Sequence, residues 1–170
     1  MEPIDLLKQE HFSRWNIIND GVMGGRSSSQ IIRQGSADKH YSLQFIGNVS
    51  LENNGGFAST TRAITDDTRQ TLAKHKATKI VISTLGDGKK YQLRLKTENG
   101  AITYKTLFHT QKDKIQHWSF SPQQFIETFR GQDFPNCDKP EFAKLSDIGF
   151  LISSKQPGQF ELQILSLSIQ

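Results

Sequence analysis

Two segments decide how this chain is read: RWNIINDGVMGGRSSSQ (Arg14–Gln30) and FIGNVSLENNGGFASTTR (Phe45–Arg62). Each sets apolar, strand-like residues on both sides of a cluster of Gly, Asn and Ser. The first cluster carries Asp20-Gly21 and Gly24-Gly25, and the second carries Asn53-Asn54-Gly55-Gly56. Residues of these types supply positive backbone angles and side-chain-to-backbone hydrogen bonds. Two such loops so close in sequence, each between strands, point to an all-β protein in which the loops do architectural work.

The pattern outside these segments agrees. Tyr41, Leu43 and Phe45 alternate with Ser42 and Gln44, as in a half-buried strand. Trp15–Ile18, Ser27–Arg33 and Phe57–Ile64 read as further strands, with a turn at Gln34–Asp38. Lys79–Leu85 and Tyr91–Leu95 flank Gly86-Asp87-Gly88 and are expected to form a hairpin. Asn99-Gly100 predicts a second hairpin into Ile102, Tyr104, Thr106 and Phe108. Ile115–Phe120 follows, then Ile148, Phe150 and Ile152. In the last strand the apolar phase shifts between Ile164 and Leu165, which requires a β-bulge or burial on both faces.

Helix is sparse. Asp66–Lys76 is the best helical stretch, with Asp66 or Asp67 as N-cap and a thin apolar face. Pro3–Gln9 is expected to make one or two helical turns, and Ser121-Pro122 to open a short helix through Phe125 and Phe129. Gly131–Glu141, with two prolines, reads as a loop. About nine or ten short strands, with turn signals every 8–12 residues or so, favour an antiparallel β-sandwich or jelly roll. The 170 residues fit a single domain, 1–170, without an internal repeat or linker.

Composition narrows the functional classes. Hydrophobic residues make up 35% and charged residues 22%, as in a soluble globular chain. Phe outnumbers Tyr and Trp, 11 to 3 and 2, and most of these rings are expected to fill the core. The net charge of +4 is spread along the chain, and the Lys74, His75, Lys76, Lys79 group reads as a solvated patch; no nucleic-acid partner is expected. The single cysteine, Cys137, fits a reducing compartment, and the N-terminus lacks secretory or transit character. No apolar run reaches the roughly 20 residues of a membrane-spanning helix, so a cytoplasmic location is expected.

The candidate site residues lie mainly in the two loops. Asn19, Asp20, Met23 and Arg26 in the first and Glu52, Asn53 and Asn54 in the second could hold an anion, a cation or a partner. Set against this is a structural reading in which Asp20 and Asn19 cap backbone groups. The first loop lacks the Gly-Lys-Ser/Thr ending of a phosphate-binding loop and does not fit a dinucleotide fingerprint. Gln92, Arg94 and Lys96 share one strand face, with Lys105 and His109 beside them; this row is a ligand platform or an ordinary wet face. No nucleophile–base pair announces itself. His109 and His117 flank a turn and could approach across a hairpin, but two histidines make a weak metal signal. The chain is therefore expected to be non-catalytic, with no metal and no cofactor.

These residues also resemble a known family. Trp15–Ser29 and Phe45–Ser59 look like the complex I intermediate-associated proteins. Further matches follow in order at Gly86–Tyr91, Trp118 with Phe120 and Pro122, Phe129–Gly131, Ile148–Ile152 and Gly158–Leu162. The resemblance implies a galactose-binding-like β-sandwich. It further implies an assembly factor that holds intermediates of respiratory complex I without joining the finished enzyme. Plant members carry a fused dehydrogenase-like domain; this chain resembles a stand-alone, bacterial-type member. The partner implied is a protein, docked through the Gly/Asn-rich loops. The shared sandwich architecture keeps a carbohydrate-binding module open as the alternative.

Overall fold

Period-two alternation sends one side chain in two to the same face of a strand. In this chain that face is filled with Phe, Leu, Ile and Tyr, so strands of one sheet must close over strands of another. A computed structural model describes residues 2–8, 14–35, 41–98, 102–153 and 155–170, leaving out the side chains at 22, 23 and 54. In chain order the strands are β1 (Ile4–Asp5), β2 (Trp15–Asn19), β3 (Ser28–Gly35), β4 (Tyr41–Val49), β5 (Ala58–Ala63), β6 (Ile80–Leu85) and β7 (Lys90–Thr97). They continue as β8 (Thr103–His109), β9 (Ile115–Phe120), β10 (Ile126–Phe129), β11 (Gln132–Phe134), β12 (Leu145–Ile152) and β13 (Gly158–Ile169). Among the described residues the one α-helix, α1 (Asp66–His75), lies between β5 and β6.

The strands form two antiparallel sheets. One has the order β3-β4-β13-β6-β9, with β1 also pairing β13. The other has the order β11-β10-β8-β7-β12-β5-β2. The expected all-β sandwich is therefore present. Between the sheets, Trp15 stacks on Phe150 with ring centroids 6.2 Å apart, and Phe108 meets Tyr91, Phe120 and Phe150 at 6.1–6.4 Å. Phe120, Phe125 and Phe142 extend this aromatic chain to the far end. Seven phenylalanines are buried, which is the core role expected of them.

The phase shift in the last strand is a bulge: the β13–β6 register slips between Ile164 and Ser166, and burial moves from Phe160, Leu162 and Ile164 to Leu167 and Ile169. Beyond Ile164, β13 has no β4 partner. The N-terminal segment fills that gap, pairing Ile4 with Ile169 while Leu6 N–H donates to Leu167 O. Pro3–Gln9 is consequently extended at its start rather than helical, because a vacant strand edge and burial of Leu6 and Leu7 outweigh local propensity.

Four other expectations change. Lys79–Leu85 and Tyr91–Leu95 are not a hairpin: β6 and β7 belong to different sheets, and Gly86-Asp87-Gly88 carries the chain across. A Cβ on Gly86 would fall 2.2 Å from Thr110 Cβ, so the crossing is glycine by close approach. After Ser121, the capping box with Gln124 is spent in one 3-10 turn, Pro122–Gln124. Phe125 then anchors in the core and the chain continues as β10 against β8. Part of the expected loop is β11, joined to β10 through Arg130 and Gly131 at φ 49° and 80°. The helix is capped by Thr65, whose hydroxyl accepts from Thr68 N–H, rather than by Asp66 or Asp67. Leu72 alone buries its apolar face. The turns expected at Gln34–Asp38 and Asn99-Gly100 lie partly or wholly outside the described residues, although β7 and β8 pair as that second turn requires.

Phe150, fully buried between Trp15 and Phe108, tests this packing. Phe150→Ala is expected to cost about 3–5 kcal/mol in chemical denaturation. A loss below about 1 kcal/mol would contradict the aromatic core described here.

Candidate functional site

Both glycine-rich loops are crossings between sheets. The first leaves β2 in the seven-stranded sheet and enters β3 in the other; the second leaves β4 and returns to β5. They cross at the same end, and they meet on one side chain. Asp20, only 1% exposed, follows β2 and opens the 3-10 turn Asp20–Met23. Its Oδ1 accepts from Ser27 N–H at 2.9 Å. Its Oδ2 accepts from Gly56 N–H at 2.7 Å, from Phe57 N–H at 3.2 Å and from the Ser27 hydroxyl. Asp20 N–H in turn donates to Phe57 O at 3.3 Å.

The glycines are there to let backbone reach this carboxylate. A Cβ on Gly25 would lie 2.3 Å from Asp20 Cγ, and one on Gly55 would lie 2.6 Å from Oδ2. Burial pushes the Asp20 carboxyl up. Hydrogen bonds from the Ser27 hydroxyl and from the Gly56, Ser27 and Phe57 N–H groups outweigh it, and the group is held below its ordinary value. Asn19 extends the same junction: its Oδ1 accepts from the Ser29 hydroxyl at 2.7 Å and from Ser59 N–H at 3.3 Å.

The expected site residues thus separate. Asp20 and Asn19 are internal ties between β2, β3 and β5. Arg26 and Glu52 face outward, 3.7 Å apart with side chains 68% exposed on both, and Asn53 stands beside them with φ 54°. Met23 and Asn54 have side chains outside the described residues. Arg94 is elsewhere, on the outer face of the seven-stranded sheet.

That face holds a groove of about 940 Å³. Its floor is a row of directly opposed residues, Thr61–Gly149–Arg94–Lys105, running across β5, β12, β7 and β8. A parallel row brings together Asp147, Lys96, Thr103, Thr128 and Asp133. At one end the groove reaches Ile18, Phe57 and Ser59, residues that flank the Asp20 junction. Arg94 Nη1 donates to Gln92 Oε1 at 3.0 Å, and the Gln92 amide donates to Ser153 Oγ at 3.3 Å. Gln92 is itself only 6% exposed, so it fixes the arginine from below. Burial lowers the Arg94 pKa, and Asp133 opposes that shift. Lys105 Nζ lies 2.9 Å from Asp133 Oδ1, a contact that holds the Asp133 carboxyl down.

Arg94, Gln92, Lys96 and Lys105 share a face as expected, but the floor beside them is a groove rather than a flat wet surface. His109 does not join it; its Nε2 pairs with Gly88 O at 3.0 Å. His117 is on β9 in the other sheet, 2.8 Å from Ser83 Oγ, so the two histidines do not face each other across a hairpin. Among the described residues no three His, Cys, Asp or Glu side chains converge as metal ligands. Sequence reasoning missed Gly149, Asp133 and Ser153. Gly149 had a signal: a glycine at the outward phase of the apolar run Ile148–Ile152 marks a place where a side chain is not tolerated.

Residues 4–164 match the protein family described as Complex I intermediate-associated protein 30 (CIA30). No curated protein matches the chain in sequence. Among solved structures, the chain is similar to a family 11 carbohydrate-binding module from Clostridium thermocellum in complex with a β-1,3-1,4-mixed-linked tetrasaccharide. The TM-score is 0.65 at 14% identity, covering 98% of this chain and 94% of the module. The family 11 module of a cellulosomal cellulase from the same organism matches at TM-score 0.65 and 13% identity, over 98% and 95% of the two chains. An exo-β-agarase matches at TM-score 0.58 and 10% identity, over 98% of this chain but 25% of its own. At such identities the likeness is one of fold.

The junction makes a paired prediction. Gly25→Ala is expected to destabilise by about 2 kcal/mol or more, because a methyl group displaces the Asp20 carboxylate from buried N–H donors. Gly21→Ala, in open space four residues away, is expected to stay within about 0.5 kcal/mol. Asp20 has a folded pKa below its unfolded value near 3.9, so its contribution is whole above that value and is lost as pH falls through the folded one. The stability gap between wild type and Asp20→Asn, measured by urea unfolding, should therefore close as pH drops below about 4. A gap constant over that range would contradict the assignment.

Proposed function

This chain belongs to the Complex I intermediate-associated protein 30 family, and from that premise we propose that it is a non-catalytic binding factor for an assembly intermediate of respiratory complex I. The family match over residues 4–164 carries the reading. The docking surface we assign is the groove of the seven-stranded sheet, bounded at one end by the two glycine-rich loops. The loop residues expected to bind divide the work: Asp20 and Asn19 hold the junction, while Arg26, Glu52 and Asn53 form an outer rim beside the groove. The non-catalytic part is supported by how the candidate groups are engaged. Asp133 is paired with Lys105, Asp147 accepts from the Ser146 hydroxyl, and the exposed Cys137 stands apart from the groove lining.

A second reading, a carbohydrate-binding module, is favoured by one observation: a module of the same fold was solved with a tetrasaccharide. The aromatic residues that could have supported it, Tyr91 and Tyr104, are buried on the inner face of their strands. Of the described lining rings, Phe150 is fully buried and Phe57 is only part-exposed at one end of the groove, so the protein partner is the better reading.

Affinity capture from cross-linked membranes of the native host tests the proposal. Wild type is expected to retain a complex I subassembly, and Leu151→Trp, which fills the groove from an outward-facing position, is expected to lose it while remaining folded. Capture that is unaffected by Leu151→Trp but abolished by an Arg26→Ala, Glu52→Ala double variant would move the docking surface to the rim. Failure to capture any such subassembly, together with binding on a glycan array, would favour the carbohydrate reading.

A further inference from the structure

The groove lining has a charge imbalance: Arg94, Lys96, Lys105 and Arg130 face one carboxylate, Asp147. Two of the cations have partners nearby. Lys105 is paired with Asp133, and Lys96 lies directly opposite Asp147 in the sheet register. Arg130 is exposed and packs its guanidinium over the Phe129 ring at 5.2 Å. Arg94 is different. It is half-buried, and among the described residues its hydrogen bond goes to a neutral amide. A guanidinium has five N–H donors in a planar fork, so most of its donor capacity remains for a ligand in the groove.

Its neighbours sharpen the point. Arg94 and Lys105 stand directly opposite each other on β7 and β8, and like charges in that arrangement destabilise a sheet. On the other side Arg94 adjoins Gly149, where an added Cβ would lie 2.3 Å from Thr60 O. The position beside the guanidinium is therefore kept open by backbone packing. The Ser153–Gln92–Arg94 chain of hydrogen bonds fixes the orientation of the fork before anything binds. A half-buried, oriented arginine, whose nearby carboxylate Asp133 is already paired with Lys105, next to an open floor is suited to bidentate capture of a carboxylate.

We propose that the groove binds an acidic polypeptide segment of the partner, with Arg94 clasping one of its Asp or Glu carboxylates. Charge complementarity selects an anion, and the apolar end formed by Ile18, Phe57 and Leu151 beside the charge selects a peptide over an acidic sugar. Ile18, 44% exposed, and Leu151 flank Ser59 at the far end of the groove and offer an apolar contact beside the charge. This inference rests on the partner-docking reading above and adds the chemistry of the segment that docks.

Calorimetric titration at low ionic strength tests it, with oligoglutamate as probe and oligogalacturonate as the acidic-sugar comparison. Wild type should bind oligoglutamate in preference to oligogalacturonate. Arg94→Gln should weaken that binding about tenfold or more, whereas Lys74→Gln, the same charge change on exposed α1, should leave it within about twofold. Circular dichroism establishes that both variants are folded. Equal weakening by the two substitutions would reduce the effect to net charge and overturn the proposal. So would preference for oligogalacturonate, or no binding of either probe. The outcomes are separable from those of the capture experiment. Oligoglutamate binding without a captured subassembly would sink the complex I reading alone, and capture without oligoglutamate binding would sink the acidic-segment inference alone.

Discussion

The Asp20 carboxylate is the point on which two otherwise separate crossings of the sandwich are fastened. Buried carboxylates are costly unless hydrogen-bonded, and four donors drawn from both loops satisfy this one. Because β2 and β5 are neighbours in one sheet and β3 and β4 in the other, the same carboxylate fixes how the two sheets meet at that end. Glycine at positions 25 and 55 follows from that constraint, since any side chain there would occupy the carboxylate's own space. A third crossing, Gly86-Asp87-Gly88, follows similar logic: Asp87 accepts from Lys89 N–H, the Tyr91 hydroxyl and Glu161 N–H.

The surface proposed to dock the partner inherits its shape from this junction. Ile18 and Phe57, at the end of the groove, are tied into the backbone that Asp20 holds, while Arg94 and Gly149 sit at its centre on the two inner strands β7 and β12. The loops thus shape the groove by placing the residues next to them. A smaller depression of about 600 Å³ on the other sheet is lined by Asp87 and Glu161 without a cation, which leaves the basic groove as the surface suited to an acidic partner.

Much of this was legible in the sequence. Alternation in Tyr91–Leu95 and Ile148–Ile152 fixed which side chains face the core, and the Gly/Asn clusters marked the crossings. The phase shift at Ile164–Leu165 marked the bulge. What sequence could not supply was long-range pairing. Gly86-Asp87-Gly88 has the chemistry of a hairpin turn, and nothing local says that β6 and β7 part to different sheets. Ile4–Asp5 became a strand because β13 outruns β4, a fact of tertiary register. The site was legible only in part for the same reason. Arg94 was identified by its place in a polar row, but Asp133 lies in a stretch read as loop, and only the β10–β11 hairpin brings it to Lys105. The motif residues that stand out most, Asp20 and Asn19, turned out to be spent on backbone and serine hydroxyl donors.

The most direct test of this account is the carboxyl carbon titration of Asp20 by NMR, followed together with the amide signals of Ser27, Gly56 and Phe57. The account predicts a midpoint below that of an ordinary aspartate, with the three amides shifting at that same midpoint as their shared acceptor is protonated. A midpoint at or above the ordinary value, with amides that do not follow it, would contradict the claim that this carboxylate holds the two crossings together.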